Sequence, residues 1–191
     1  MLAAVDAGSG KIRPLYRSPE KTFIWIPHVR LAGWTRIPIV VAGDLLLVDP
    51  ATGDTEAIAA GTAYWSPKIS DDGVELAYAV RHRVAGAPGQ SEIHVRNLAG
   101  GTDRTLAIVT GWAGEILRSP SGEVWIVNRY VDSKPIPSVS ISHDGRMNEL
   151  PPGWVCLGWQ GRERILLQAV GVDPALAVLD AASGDLHRIF P

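Results

Sequence analysis

Few of the residues able to do chemistry stand at the spacings that chemistry needs. Ala7-Gly8-Ser9-Gly10-Lys11 looks like the tail of a phosphate-binding loop. That loop requires a glycine where Val5 stands and Ser or Thr where Ile12 stands. It also requires a following helix, which Pro14 interrupts. The histidines are His28, His82, His94, His143 and His187, none paired as H-x-x-x-H and none beside a cysteine cluster. No metal site and no cofactor are therefore expected. Ser18-Pro19-Glu20-Lys21 fits S-x-x-K, but that nucleophile needs a helix start in an α-rich domain. No G-x-S-x-G elbow and no complete calcium loop occur. Asp71-Asp72 and Asp144-Gly145 read as turns. The one cysteine, Cys156, sits in apolar Trp154-Val155-Cys156-Leu157 and reads as a buried, inert thiol. No catalytic residue is assigned.

Composition narrows the class. The chain has 191 residues, 46% hydrophobic and 20% charged, enough for a packed core. A net charge of −2 argues against a nucleic-acid surface. Apolar runs such as Leu45–Val48 and Ile165–Leu167 are far short of a membrane span, so no insertion is expected. Met1 to Lys11 lacks the basic start and apolar stretch of a signal peptide. A cytoplasmic location follows by default, unless the chain is a piece of an exported protein. Seven tryptophans and 14 prolines suit strands joined by ordered turns.

Any site must be positioned by a repeat. Val5-Asp6-Ala7-Gly8-Ser9-Gly10-Lys11 returns as Val48-Asp49-Pro50-Ala51-Thr52-Gly53-Asp54, then as Val95-Arg96-Asn97-Leu98-Ala99-Gly100-Gly101. A short form is Ile141-Ser142-His143-Asp144-Gly145-Arg146, and the last copy is Leu179-Asp180-Ala181-Ala182-Ser183-Gly184-Asp185. The marker residues Val5, Val48, Val95, Ile141 and Leu179 are spaced by 43, 47, 46 and 38 residues, near the four-stranded blade repeat. In each copy Asp or Asn accepts backbone hydrogen bonds and Gly supplies the positive φ of a hairpin, here called c–d. Other hairpins, called a–b, fall between them at 31–41, 64–78, 115–127 and 157–167. No sustained 3.6-residue period predicts a long helix.

Ser66-Pro67-Lys68-Ile69-Ser70-Asp71-Asp72-Gly73-Val74-Glu75-Leu76-Ala77-Tyr78 resembles the S-P-D-G-x-x-[LI]-A-[FY] hairpin of TolB-like (WD40-like) propeller repeats, with Pro67 split from Asp72-Gly73. Ser119-Pro120-Ser121-Gly122 is a second copy with Ser in place of Asp. The resemblance implies an all-β fold, a β-propeller or partial propeller. It has about four full four-stranded blades plus an N-terminal c–d hairpin, forming a single domain. The expected bounds are 1–16 for the hairpin and roughly 17–61, 62–110, 111–152 and 153–191 for the blades. Five c–d but only four a–b hairpins leave exposed strand edges, so a homo-oligomer is expected.

In a propeller the b–c and d–a connections share one face. That face would receive long loops at 81–91 and 128–137 and the aromatics of the d–a segments. Its candidate binding residues are Tyr64, Arg81, His82, Arg83, Trp112, Asn128, Arg129, Tyr130 and Trp154, because Arg, Tyr and Trp anchor interfaces. Glu115 is the one acid on an expected inner strand. Repeats without a catalytic motif read as a non-catalytic protein- or peptide-binding scaffold, with a protein, a peptide or the chain itself as partner. The alternatives are a glycosidase- or lyase-like propeller enzyme and the substrate-gating propeller of a peptidase.

Overall fold

Short apolar–polar alternations punctuated by glycine turns fold this chain into strands. The computed structural model describes residues 1–5, 8–18, 24–25, 36–61, 67–83, 85, 88–171 and 175–190, and among them there is no helix. Strands β1 (Leu2–Val5) and β2 (Ile12–Tyr16) make a two-stranded hairpin. Blade 1 consists of β3 (Ile24–Trp25), β4 (Ile37–Val41), β5 (Asp44–Val48) and β6 (Thr55–Ala59). Blade 2 consists of β7 (Lys68–Ile69), β8 (Glu75–His82), β9 (Gln90–Asn97) and β10 (Asp103–Thr110). Blade 3 consists of β11 (Trp112–Arg118), β12 (Val124–Val131), β13 (Lys134–Ser142) and β14 (Met147–Glu149). Blade 4 consists of β15 (Trp154–Gln160), β16 (Arg164–Ala169), β17 (Leu176–Asp180) and β18 (Leu186–Phe190). Each sheet is antiparallel and runs in chain order, as a propeller blade requires.

The core lies between blades. Leu15 of the hairpin packs with Ile37, Ile39, Val41 and Val48 of blade 1. Val40, Leu45 and Leu47 of blade 1 meet Ile69, Leu76 and Tyr78 of blade 2. Ile93, Val95 and Leu106 of blade 2 meet Ile116, Trp125 and Val127 of blade 3. Leu117, Ile126 and Leu150 of blade 3 meet Cys156, Ile165 and Leu167 of blade 4. Second strands are covered on both faces, so β4 is buried at every residue, and β12 at five in succession. Burial pushes the Cys156 thiol up to about 12, leaving it unreactive at neutral pH.

The c–d turns use the predicted chemistry. Asp49 Oδ1 accepts from the amides of Ala51 (2.7 Å) and Thr52 (3.3 Å), and Gly53 closes the turn at φ 84°. Asp180 repeats this with Ala182 (3.0 Å) and Ser183 (2.9 Å). These amides hold both carboxyls below the ordinary carboxylate range. A pKa lowered by folding gives stability present above the unfolded value and lost as pH falls through the folded one. Stability should therefore drop below about pH 4, where ordinary carboxyls titrate. D180N keeps the acceptor oxygen but not the titration. Urea melts across that window should show a shallower acid slope for D180N, with nearly unchanged stability at neutral pH.

Three expectations change. The strand paired with β4 is Ile24–Trp25, against Val41 and Val40, and the 31–35 part of the expected a–b hairpin lies outside the described residues. The 128–137 stretch is no loop: β12 and β13 continue to a two-residue turn, Asp132-Ser133. Both turn residues have positive φ (48° and 61°), as does Ala42 (53°) with Gly43 (92°) in the matching turn of blade 1. Such turns match the right-handed twist of long paired strands. The 81–91 stretch is likewise shortened, because β8 runs to His82 and β9 begins at Gln90.

Candidate functional site

A cleft of about 640 Å³ opens where the start of β11 meets the end of β8 and the β12–β13 turn. Its walls are Arg81, Trp112, Gly114, Glu115, Tyr130 and Asp132, with Ala113 and Ser133. The start of β11 is pinned to blade 2. The fully buried Ser91 hydroxyl donates to Gly111 O (3.0 Å) and accepts from the amide of Ala113 (2.8 Å), while Gly111 N donates to Gly89 O (2.6 Å).

Both aromatic walls lie on glycines. A Cβ at Gly89 would stand 2.7 Å from Cζ2 of Trp112, and one at Gly114 would stand 2.5 Å from Cε2 of Tyr130. Only a residue without a side chain lets each ring approach so closely. Arg81 Cζ sits 5.2 Å from the Trp112 ring centre, a cation–π contact.

Glu115 is aimed by a bulge. β11 pairs Ala113 with Arg129 and Ile116 with Val127, so Gly114 and Glu115 together oppose Asn128. The break leaves Glu115 exposed between buried Gly114 and Ile116. Burial first, and the Glu115 charge second, raise the Tyr130 phenol above its ordinary value. The cleft thus joins two fixed rings, a guanidinium and two carboxylates, a set able to hold a side chain by stacking and charge together.

Of the residues predicted from sequence, Arg81, Trp112 and Tyr130 come together here. His82 and Arg83 are exposed but line no part of the cleft, and His82 Nε2 lies 3.2 Å from Glu92 Oε2. Asn128 is buried and ties blade 3 to blade 4. Arg129 is buried as well, donating to Pro137 O (2.8 Å) and to Glu149 Oε1 (2.6 Å). Trp154 is packed in the junction between blades 3 and 4, under Arg188. Tyr64 lies outside the described residues. Sequence reasoning does not select Gly114, Asp132 or Ser133. A glycine inside an inner strand was the available signal for the bulge.

No family model and no curated protein matches the sequence. Solved structures do match in shape. A tricorn protease structure aligns over 97% of this chain at TM-score 0.70 and 12% identity, the chain covering 24% of it. TolB from Acinetobacter baumannii aligns over 99% at 0.62 and 18%, the chain covering 48% of it. An oligogalacturonate lyase in complex with manganese aligns over 97% at 0.66 and 12%, the chain covering 58% of it. The chain thus spans less than two thirds of each. Sequential four-stranded blades, stacked through apolar junctions and superposable on these structures, give this chain a β-propeller fold, seen here as a partial propeller.

Proposed function

We propose that the chain is a non-catalytic, peptide- or protein-binding propeller unit, and that its ligand seats in the cleft of Arg81, Trp112, Glu115 and Tyr130. The observation that carries this reading is the pair of rings seated on Gly89 and Gly114 beside a stacked arginine. Rigid aromatic and Arg anchors in a pre-formed pocket are what binding hot spots are made of. Strands rather than loops hold all four side chains, which lowers the entropy lost on binding. The net charge of −2 supports a partner other than nucleic acid.

Glu115 favours a second reading. An exposed carboxylate set by a bulge beside a phenol of raised pKa could act as an acid–base pair in a propeller enzyme of the glycosidase or lyase type.

Panning a random-peptide phage library on the 191-residue chain separates the two. Recovered peptides should lose about 2 kcal/mol or more of affinity, roughly thirtyfold, on W112A and R81A. Circular dichroism melts would confirm that both variants are folded. Peptides that bind W112A and R81A as well as the parent chain would place binding elsewhere. Turnover of an oligosaccharide, abolished by E115Q, would move the assignment to the second reading.

A further inference from the structure

Neighbouring repeats are tied together by the third residue after a turn glycine. In β2 this is Arg13, whose Nη1 donates to Ala51 O (3.0 Å) and whose Nη2 donates to Pro50 O, both in the c–d turn of blade 1. In β10 it is Arg104, which donates to His143 O in the turn of blade 3 (3.1 Å). In β6 it is Glu56, paired at 2.6 Å with Arg96 at the start of the turn of blade 2. Each tie sets a charged side chain against the turn of the next blade.

The junction of blades 3 and 4 has no such tie. The matching residue of β14 is Asn148, exposed and uncharged. Ala181 and Ala182 stand where Pro50 and Ala51 stand. Among the described residues the Asn148 side chain makes no hydrogen bond, and the carbonyls of Ala181 and Ala182 accept none. A groove of about 750 Å³ lies there instead, between Asn148 and the turn at 180–184. Pro151, Pro152 and Trp159 give it apolar walls. Leu150 and Ile165 also line it and are buried, so the groove lies against a packed junction.

The charge of the groove has one sign. Among the described residues its lining holds two carboxylates, Glu149 and Asp180, and no cation. Glu149 is held by Arg129 (2.6 Å). Asp180 accepts from the amides of its own turn, which keep it ionised. At the equivalent place in blade 1, Asp49 lies in the field of Arg13 from the preceding repeat.

We propose that this groove is a second binding site, which takes an arginine side chain of a partner polypeptide where Arg13 and Arg104 serve the sister junctions. The guanidinium donates to the carbonyls of Ala181 and Ala182 beside the Asp180 carboxylate. Apolar residues flanking the arginine lie on Pro151, Pro152 and Trp159. Arginine is preferred to lysine because its planar fork serves two adjacent carbonyls at once, as Arg13 does. The groove shares no residue with the cleft of Trp112, so the two sites stand or fall separately.

The probe is an acetylated, amidated pentapeptide copying Ile12–Tyr16, which carries one arginine among apolar residues. Binding is read from nitrogen–proton NMR correlation spectra of the 191-residue chain. Saturable shifts are expected at the amides of Ala182 and Ser183 and at the Trp159 indole. Citrulline in place of the arginine keeps the shape without the charge, and should weaken binding more than about tenfold. N148R supplies a guanidinium from within and should abolish the response to the peptide. Equal affinity for the citrulline peptide overturns the proposal. So do shifts that are absent or confined to the Trp112 indole, and a folded N148R that binds as the parent does. Circular dichroism checks folding, and should N148R unfold, arginine against citrulline on the parent chain decides.

Discussion

Trp125→Ala will lower the free energy of unfolding by about 3–5 kcal/mol, the range for truncating a buried tryptophan. The indole is fully buried in β12, in the junction where blades 2 and 3 meet. Its neighbours come from two sheets, so the cavity cannot collapse from one side alone. Arg118, whose Cζ lies 5.2 Å from the ring centre, loses its platform while remaining paired with Glu75 at 2.6 Å. Trp125→Phe should cost much less, because the indole Nε1 has no hydrogen-bond partner to lose. Urea denaturation measures both. A loss below about 1 kcal/mol for the alanine variant would mean that this junction contributes little to the cooperative unit.

Asn128→Ala is expected to cost about 2–4 kcal/mol, although the side chain is small. Its Oδ1 accepts from Ser138 Oγ (2.7 Å) and from the amide of Cys156 (3.0 Å), and its Nδ2 donates to Cys156 O (2.8 Å). One amide thus stands in for a missing strand partner, joining the bulged middle of blade 3 to the inner strand of blade 4. Alanine strands both backbone groups of Cys156 and the Ser138 hydroxyl without water. Labelling of the Cys156 thiol reports the same event, since only opening of the junction exposes it. Faster labelling in N128A is the expected result. Unchanged labelling with unchanged stability would show that solvent replaces the amide at no cost.

Asn128 also shows where sequence reading stops. As a polar residue near the end of a β-run it reads as part of a binding loop, and nothing local says that its strand continues to Val131. The strand continues because Asp132 and Ser133 adopt positive φ, a turn usually signalled by Asn-Gly or Asp-Gly. The c–d turns were legible for the opposite reason: in all but the short copy at 141–146 an acceptor side chain stands four residues before a glycine. Arg81, Trp112 and Tyr130 could be placed on one face from strand alternation alone. Glu115 was visible as an acid on an inner strand, but its exposure depends on a two-against-one pairing with Asn128, which becomes visible only in the strand register. Gly89 matters only through the ring of Trp112 resting on it, a contact between neighbouring blades that no local pattern encodes.

In every blade the strands pair in chain order, and each apolar junction joins only adjacent repeats. Among the described residues, then, no pairing waits for distant parts of the chain to find each other. The loops to be closed stay short, and their entropic cost is low for an all-β protein. Thermodynamically the molecule behaves as a one-dimensional lattice of coupled units, where the stability of each is its own plus that of the contacts on either side. Blades 2 and 3, each flanked on both sides by four-stranded blades, are the natural nucleus. Among the described residues the two-stranded hairpin of β1 and β2 packs on blade 1 only, and melting should start there.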